Sequence, residues 1–266
     1  MKSEKCHPAK SLHAHLFTLH HSRSTFHAPR LSLHASRSTL HASRYFTPMV
    51  STLIFDLDGT LLDTLDDLWA SVNHALAYFS LPLRNKAEVR QFLGNGARVL
   101  IHQSLPADCT TELEEKVFSE FRKHYLIHSI DSTKPYAGIP SLLQQCKALR
   151  MKTAIVSNKP NAVVQELHKS FFPSLIDLAI GEQQPKIRRK PYPDMVLHAM
   201  TQLGSTPQEC IYVGDSEVDV ETAKNAGIPC ISVAWGFRDR SFLEASGASI
   251  IVDFPEEILL HIKTGD

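Results

Sequence analysis

Two patterns of apolar side chains follow each other along residues 51–266. Short apolar runs are typical of buried β-strands, whereas apolar side chains three or four positions apart are typical of amphipathic helices. The short runs predict strands at 51–55, 153–158, 177–182, 210–215, 230–235 and 249–253. From residue 139 onward these runs alternate with helical patterns at 139–150, 162–169, 193–203 and 218–225. The alternation predicts right-handed βαβ units and a parallel sheet that is covered by helices on both faces.

The segment between the first two predicted strands contains helical patterns only. It predicts helices at 65–79, 97–105 and 108–128, and a short helix that Asn85 and Glu88 open as a capping box and that the turn Gly94-Asn95-Gly96 ends. Because the first strand belongs to the sheet, this segment is an insertion. We therefore predict an α/β fold with a doubly wound parallel-sheet core, formed by 49–64 and 134–266, and an inserted all-helical cap at 65–133.

The first 48 residues have a different character. Histidine recurs every seven residues, at His13, His20, His27, His34 and His41, and Glu4 is the only acidic residue in this segment. A heptad repeat can indicate a coiled coil, but these units lack the paired apolar a and d positions that form its seam. We expect no fold for this low-complexity tail.

Three interpretations of the tail remain open. It can be a transit peptide, since it is rich in arginine and serine and poor in acids; a metal-binding segment; or a tandem repeat translated from an over-long start. We favour the last because Met49 stands where the regular pattern begins. This interpretation predicts that the protein isolated from its source lacks residues 1–48.

Composition and charge exclude several classes of function. Apolar residues make up 43% of the chain, and 28 basic side chains balance 28 acidic ones. A net charge of zero provides no field to hold nucleic acid or an anionic membrane. The five cysteines are scattered and read as free thiols. We therefore expect a cytoplasmic protein, organellar if the tail is a transit peptide, that acts as a monomer or homodimer.

Three of the predicted strands end in polar side chains. Asp56 follows the first strand, Ser157 and Asn158 end the second, and Asp215 ends the strand at 210–215. Ligands of an open parallel sheet bind at the carboxyl ends of its strands, so these side chains are expected to meet. Clustered carboxylates repel one another and favour a bound cation, and their hard oxygen atoms favour Mg²⁺. With Lys190 as a fixed positive charge, the set fits phosphoryl transfer to a carboxylate nucleophile.

Each of these residues alone also fits a purely structural role. Asp-Gly is a common turn dipeptide, Ser157 and Asn158 can cap a helix, and Asp215 and Asp219 can complement a helix dipole. Lys190 can lie in a solvated loop. Their joint arrangement at successive strand ends is what favours a functional site.

Four short motifs in this chain resemble, in order, those of the haloacid dehalogenase superfamily. They are DLDGT at 56–60, SN at 157–158, KPYPD at 190–194 and GDSEVD at 214–219. The resemblance covers about residues 50–254. It implies that Asp56 is the nucleophile that takes the phosphoryl group. It also implies that Asp58 protonates the leaving oxygen and then activates water against the aspartyl-phosphate.

The same resemblance implies roles for the other motif residues. Ser157 would hydrogen-bond the phosphoryl oxygens, with Thr60 and Asn158 as further substrate-binding residues, and Lys190 would neutralise charge on the nucleophile and the transferring group. The Asp56 carboxylate, the backbone carbonyl of Asp58 and Asp215 would hold Mg²⁺, with Asp219 as a further ligand acting directly or through water.

Asp58 and the cap narrow the expected activity. Dehalogenases of the superfamily lack the second aspartate, so a phosphatase or a phosphomutase is the better interpretation. The stretch FLGNGARVLI at 92–101 is similar to the cap of phosphoglycolate phosphatases. This similarity implies Mg²⁺-dependent hydrolysis of a small phosphorylated metabolite, with 2-phosphoglycolate as the best match and with Asn95 and Arg98 as substrate-binding residues.

Several alternatives stay open at this point. The chain can be a β-phosphoglucomutase-like phosphomutase or a pyrophosphatase of the same superfamily, or a non-catalytic binding protein of the same fold. The Gly94-Asn95-Gly96 turn can equally be a helix break without substrate contact.

Overall fold

The candidate site lies at the carboxyl ends of strands in a parallel sheet. The structure is a computed structural model that describes residues 50–183 and 185–262. In the described residues the strands are β1 (Thr52–Phe55), β2 (Leu62–Asp63), β3 (Lys134–Pro135), β4 (Lys152–Pro160), β5 (Leu178–Glu182), β6 (Cys210–Gly214), β7 (Cys230–Val233) and β8 (Ile251–Val252). Six of them form the parallel sheet in the order β5-β4-β1-β6-β7-β8. β2 and β3 form a separate antiparallel pair.

A helical segment is inserted between β2 and β3. Its helices are α1 (Leu65–Tyr78), α2 (Lys86–Phe92), α3 (Ala97–Ser104) and α4 (Thr111–His128). The predicted capping box opens α2: Asn85 accepts a hydrogen bond from the Glu88 backbone N–H at 2.9 Å, and the Asn85 N–H donates to the Glu88 carboxylate at 2.8 Å. Within the described ranges, no helix is both long and apolar enough to cross a membrane.

Helices cover both faces of the sheet. They are α5 (Ile139–Ala148), α6 (Asn161–Phe171), α7 (Asp194–Leu203), α8 (Glu217–Ala226) and α9 (Arg240–Ala245), with short 3₁₀ turns at Pro207–Glu209 and Pro255–His261. β1 lies in the middle and is fully buried. Leu53 and Phe55 pack into one apolar layer with α5 and α6, and Ile54 packs into the other with α7 and α8. This division follows from the alternation of side chains along a strand.

The predicted fold class, a doubly wound parallel sheet with an all-helical insertion, is confirmed. The sequence did not predict α9 or the β2–β3 pair, because elements of so few residues carry too little periodicity to be recognised. It also ended β4 at residue 158, whereas the strand continues to Pro160. The domain boundaries at 65 and 134 stay a prediction, and the predictions for residues 1–48 lie outside the described residues.

The buried carboxylate of Asp67, in the first turn of α1, ties the beginning of the helical insertion to its end. It accepts hydrogen bonds from the backbone N–H groups of Ser132 and Thr133, both at 2.9 Å, and from the Thr133 hydroxyl at 2.8 Å. Hydrogen bonds to a charged acceptor are the stronger kind, and removing the acceptor leaves buried donors without a partner. Asp67 therefore holds the start and the end of the helical insertion next to each other.

We expect Asp67→Ala to lower the free energy of unfolding by about 2–4 kcal/mol, because three donors lose a charged acceptor. Denaturant unfolding measures this change. Asp66→Ala is the matched control, since Asp66 lies in the same helical turn but is exposed and forms only a surface ion pair with Lys86, so a change of at most about 1 kcal/mol is expected there. Equal losses in the two variants would contradict the special role of Asp67.

Candidate active site

The carboxyl ends of three adjacent strands bring the predicted residues together. β1 lies between β4 and β6, so Asp56 after β1 stands between Ser157 in β4 and Asp215 after β6. Asp56, Asp58, Ser157 and Asp215 line one cavity beneath the helical insertion. The meeting of these side chains at one sheet edge was the central expectation from the sequence, and the structure places them there.

Asp56 is buried and held in one orientation. Its Oδ1 accepts a hydrogen bond from the Leu57 backbone N–H at 2.7 Å and lies 2.9 Å from Lys190 Nζ. Burial raises the pKa of Asp56 to about 7; the charge of Lys190 opposes this rise, and the neighbouring Asp219 and Asp58 add to it. A cation beside this carboxylate therefore favours its ionised form.

Lys190 is a completely buried ammonium group that bridges two acids. Its Nζ lies 2.7 Å from Asp219 Oδ1, in addition to the contact with Asp56, and donates to the Tyr212 hydroxyl at 3.1 Å. Burial by itself would lower the pKa of Lys190, but Asp219 and Asp56 outweigh it and raise the pKa well above its ordinary value. Lys190 is thus a permanent positive charge at the nucleophile.

Asn158 holds the backbone of Lys190 in place. The side-chain oxygen of Asn158 accepts from the Lys190 N–H at 2.8 Å, and its amide nitrogen donates to the Lys190 carbonyl at 3.1 Å. The same amide nitrogen donates to the Gly94 carbonyl of the insertion at 3.2 Å. These bonds engage both ends of the side chain that the sequence assigned to substrate binding.

Three buried acids form a cluster with the geometry of a cation site. One carboxylate oxygen from each of Asp56, Asp215 and Asp219 lies within 4.8 Å of the other two. Burial, followed by the charges of Asp219 and Asp56, raises the pKa of Asp215 well above its ordinary value. The carboxylates of the cluster therefore repel one another, and their oxygen donors fit a hard divalent ion such as Mg²⁺.

The partners of Asp215 and Asp219 differ. Asp215 accepts from the Thr60 hydroxyl at 3.2 Å and from the Phe237 backbone N–H at 2.7 Å. Asp219 has both oxygens engaged, one by Lys190 and the other by the N–H and hydroxyl of Ser216 at 3.1 and 2.6 Å. Both oxygens of each carboxylate therefore have a partner, and the contact with Lys190 is what distinguishes Asp219.

Gly59 makes room for the Asp215 carboxylate. Its φ is +80°, a conformation that side chains disfavour, and a Cβ at this position would collide with the carboxyl group of Asp215. The Asp-Gly pair of the first motif is thus explained by close packing at the site as well as by the turn.

Asp58 has a partner that the sequence analysis missed. Its Oδ1 accepts from the Thr64 hydroxyl at 2.8 Å and lies 2.9 Å from Lys159 Nζ. Lys159 is buried in β4, its ammonium group contacts the Tyr125 hydroxyl of α4, and burial lowers its pKa against the opposing effect of Asp58. The sequence analysis ended this strand at residue 158, so it did not place Lys159 on the strand that carries Ser157.

Three predicted substrate-binding residues do not reach the cavity. Thr60 is buried and its hydroxyl is directed to Asp215. Arg98 forms an ion pair with Glu115 and lies over the Phe118 ring on the surface of the insertion. Asn95 lies between Gly94 and Gly96, which line the cavity while Asn95 does not.

The insertion lines the cavity mainly with apolar side chains. They are Leu68, Leu93, Ala97, Leu100 and Phe121, together with Tyr125. The cavity has a volume of about 50 Å³. The core therefore supplies the charged groups, and the insertion closes a narrow space over them.

Two arginines connect the insertion and the core, one from each part. Arg90 of α2 donates to the carbonyls of Phe237 and Gly236 at 2.9 and 3.0 Å. Arg238 of the core donates to the Leu93 carbonyl at 2.8 Å and pairs with Glu217 at 3.0 Å. The contacted core segment also supplies the Phe237 N–H that binds Asp215, so the docking of the insertion and the acid cluster share one loop.

Comparisons with known proteins agree with this geometry. A model of the family described as haloacid dehalogenase-like hydrolase matches residues 53–233. The phosphoglycolate phosphatase of Pseudomonas putida is 33% identical over 76% of this chain and 75% of its own length. That of Mesorhizobium japonicum is 32% identical over 76% of this chain and 90% of its own length.

A solved structure shows the same arrangement of elements. A phosphoglycolate phosphatase candidate from Lactobacillus delbrueckii subsp. bulgaricus is 33% identical and superimposes with a TM-score of 0.77, covering 82% of this chain and 100% of the other. The chain belongs to the haloacid dehalogenase-like hydrolase family.

Proposed function

We propose that this protein hydrolyses phosphate monoesters of small metabolites through an aspartyl-phosphate on Asp56. The observation that carries the proposal is the pairing of Asp56 and Asp58, each beside its own buried lysine, on the wall of one cavity. The relatives named phosphoglycolate phosphatase bear out the expectation of a phosphoric monoester hydrolase.

In the first chemical step Asp56 acts as a carboxylate and Asp58 as a protonated acid. A carboxylate oxygen of Asp56 attacks the phosphorus while the bond from phosphorus to the ester oxygen breaks, and Asp58 gives its proton to that oxygen. Lys190 and the Leu57 N–H hold the nucleophile in orientation. The Ser157 hydroxyl, buried on the cavity wall, is placed to donate to a phosphoryl oxygen.

The second step restores the enzyme. Asp58, now a carboxylate, takes a proton from water, and the water oxygen attacks the phosphorus of the aspartyl-phosphate. The bond between Asp56 and phosphorus breaks, which releases inorganic phosphate and regenerates the Asp56 carboxylate. Thr64 and Lys159 both contact Asp58 Oδ1, so the carboxylate keeps one orientation through both steps.

The acid cluster fits a magnesium ion as the cofactor. Asp56, Asp215 and the backbone carbonyl of Asp58 are the proposed ligands, and Asp219 contributes through Lys190. Mg²⁺ supplies electrostatic stabilisation of the negative charge on the transferring phosphoryl group. The raised pKa values of Asp56 and Asp215 support a cation here, because the buried carboxylates otherwise lack sufficient positive charge.

The helical insertion, residues 65–133, is proposed to act as the cap that selects the substrate. Its apolar wall and narrow cavity favour a small organic group. The named relatives support 2-phosphoglycolate as the substrate. A more distant relative from Pseudomonas aeruginosa, 29% identical over 79% of this chain, is an N-acetylmuramic acid 6-phosphate phosphatase. A screen of phosphorylated metabolites tests whether the small acid is preferred.

We expect Asp56→Asn to lose nearly all turnover while keeping the fold, because the amide keeps the shape but not the attacking charge. Hydrolysis of phenyl phosphate with Mg²⁺ measures the activity, and thermal unfolding checks the fold. Glu221→Gln, an exposed change on α8, serves as the control and should leave turnover unchanged. Turnover of Asp56→Asn within about tenfold of the wild type would contradict its role as the nucleophile.

We expect Asp58→Asn to reduce turnover by about 10²- to 10⁴-fold, the usual contribution of a general acid or base. The loss in phosphoryl transfer to Asp56 should be smaller for a nitrophenyl ester than for an alkyl ester, because a good leaving group needs little proton transfer. Single-turnover kinetics with the two esters isolate this step. An equal loss for both would argue against Asp58 as the acid.

We expect Mg²⁺ to raise the melting temperature of metal-free protein by roughly 5–10 °C at a hundredfold excess over its Kd. The ion relieves the repulsion among buried carboxylates. Asp215→Asn should lose most of this shift, whereas Glu221→Gln should keep it. The readout is calorimetry without substrate, and an unchanged shift in Asp215→Asn would remove Asp215 from the ligand set.

A further inference from the structure

A second buried lysine, Lys159, lies on the cavity wall beside Asp58. We propose that Lys159, held by Tyr125, binds an anionic group of the substrate. The preferred substrates are then short phosphate esters that carry a carboxylate next to the ester carbon. This inference rests on the proposed phosphatase function and names its substrate class.

The contacts of Lys159 leave it able to bind a further anion. Its ammonium group carries three N–H donors. One is directed to Asp58 Oδ1 at 2.9 Å and one to the Tyr125 hydroxyl, and the lysine lines the cavity. Lys190, not Lys159, contacts the nucleophile, and the contacts of Lys159 with Asp58 and Tyr125 leave one N–H donor for a further anion.

The position of Lys159 sets the distance to the anion. In the proposed mechanism the leaving oxygen lies within about 2.7 Å of an oxygen of Asp58, as in any O–H···O hydrogen bond. Lys159 Nζ lies next to the other side of the same carboxyl group. A group one or two bonds beyond the ester oxygen therefore comes within reach of Lys159, which fits the carboxylate of a phosphorylated 2-hydroxy acid.

Two arginines near the cavity, Arg98 and Arg238, are engaged elsewhere. Arg98 is paired with Glu115 on the surface of the insertion. Arg238 lines the cavity, but its guanidinium binds Glu217 and the carbonyls of Leu93 and Arg90. Of the two cations on the cavity wall in the described residues, Lys159 has two partners for its three N–H donors, whereas Arg238 is occupied by Glu217 and by backbone carbonyls.

Tyr125 gives Lys159 its direction. The tyrosine is buried in α4, its hydroxyl contacts Lys159 Nζ, and the ammonium lies 4.4 Å from the centre of its ring. An ammonium group near an aromatic face is attracted by the ring. Tyr125 is thus a positioning residue, and it connects substrate recognition to the placement of the helical insertion.

The test uses two esters that differ only in charge. We expect the wild type to prefer 2-phosphoglycolate over 2-phosphoglycolamide in kcat/KM, because the amide keeps the shape without the charge. Lys159→Met should lower kcat/KM for the acid by roughly 10- to 100-fold, the value of a charge-assisted hydrogen bond. The ratio of acid to amide should fall toward one, and Tyr125→Phe should lower it part of the way.

Two control variants define the comparison. Lys116→Met, an exposed lysine of α4 paired with Glu112, should leave the ratio unchanged. Arg98→Gln should also leave it unchanged, and a selective loss there would transfer recognition to the residue suggested by the sequence. Melting temperatures of all variants show which are folded. The ratio of kcat/KM for the acid to that for the amide in the wild type tests the inference without any variant.

Distinct results overturn the inference and the proposed function. Equal kcat/KM for the acid and the amide in the wild type would overturn the inference, even with efficient hydrolysis of phenyl phosphate. Equal losses for both esters in Lys159→Met would mean that Lys159 acts only on Asp58 and does not bind the substrate anion, which would also overturn the inference. Failure to hydrolyse any of the three esters with Mg²⁺ would overturn the phosphatase function, and the inference with it.

Discussion

The balance of charge at one sheet edge is the constraint on which the rest of the structure depends. Four aspartates at positions 56, 58, 215 and 219 meet there, and the two buried lysines at 159 and 190 face them. With all six groups ionised, the acids exceed the lysines by two charges, which is the charge of one divalent cation. Buried charge of this kind is tolerated only when it is paired, so a divalent cation would balance the cluster.

The sheet and the insertion divide the work of the site. Short strand ends fix the charged groups through backbone contacts, as in the bond from the Leu57 N–H to Asp56. The insertion contributes an apolar wall, the Tyr125 hydroxyl that contacts Lys159 and the Gly94 carbonyl that accepts from Asn158. Charges next to an apolar wall interact more strongly than they would in water. The chemistry of the core thus gains from a cap that contributes few charges of its own.

Sequence reasoning predicted the parts of the site that follow from local pattern. Asp56, Ser157 and Asp215 stand at the ends of apolar runs, and the topology of a parallel sheet brings such ends together. The roles of Lys159 and Arg238 could not be predicted in this way. Lys159 depends on how far β4 extends, and the bond from Arg238 to the Leu93 carbonyl joins residues 145 positions apart. Arg98 shows the converse, since its neighbour Glu115 comes from another helix and draws it away from the cavity.

The docking of the insertion depends largely on backbone carbonyls. Arg90 and Arg238 donate to main-chain carbonyls at Gly236, Phe237 and Leu93, and Asn158 does the same at Gly94. Main-chain acceptors are present whatever residue occupies the position. Side chains on the cavity wall can therefore change while these docking contacts persist, so the same core is compatible with insertions that line the cavity differently.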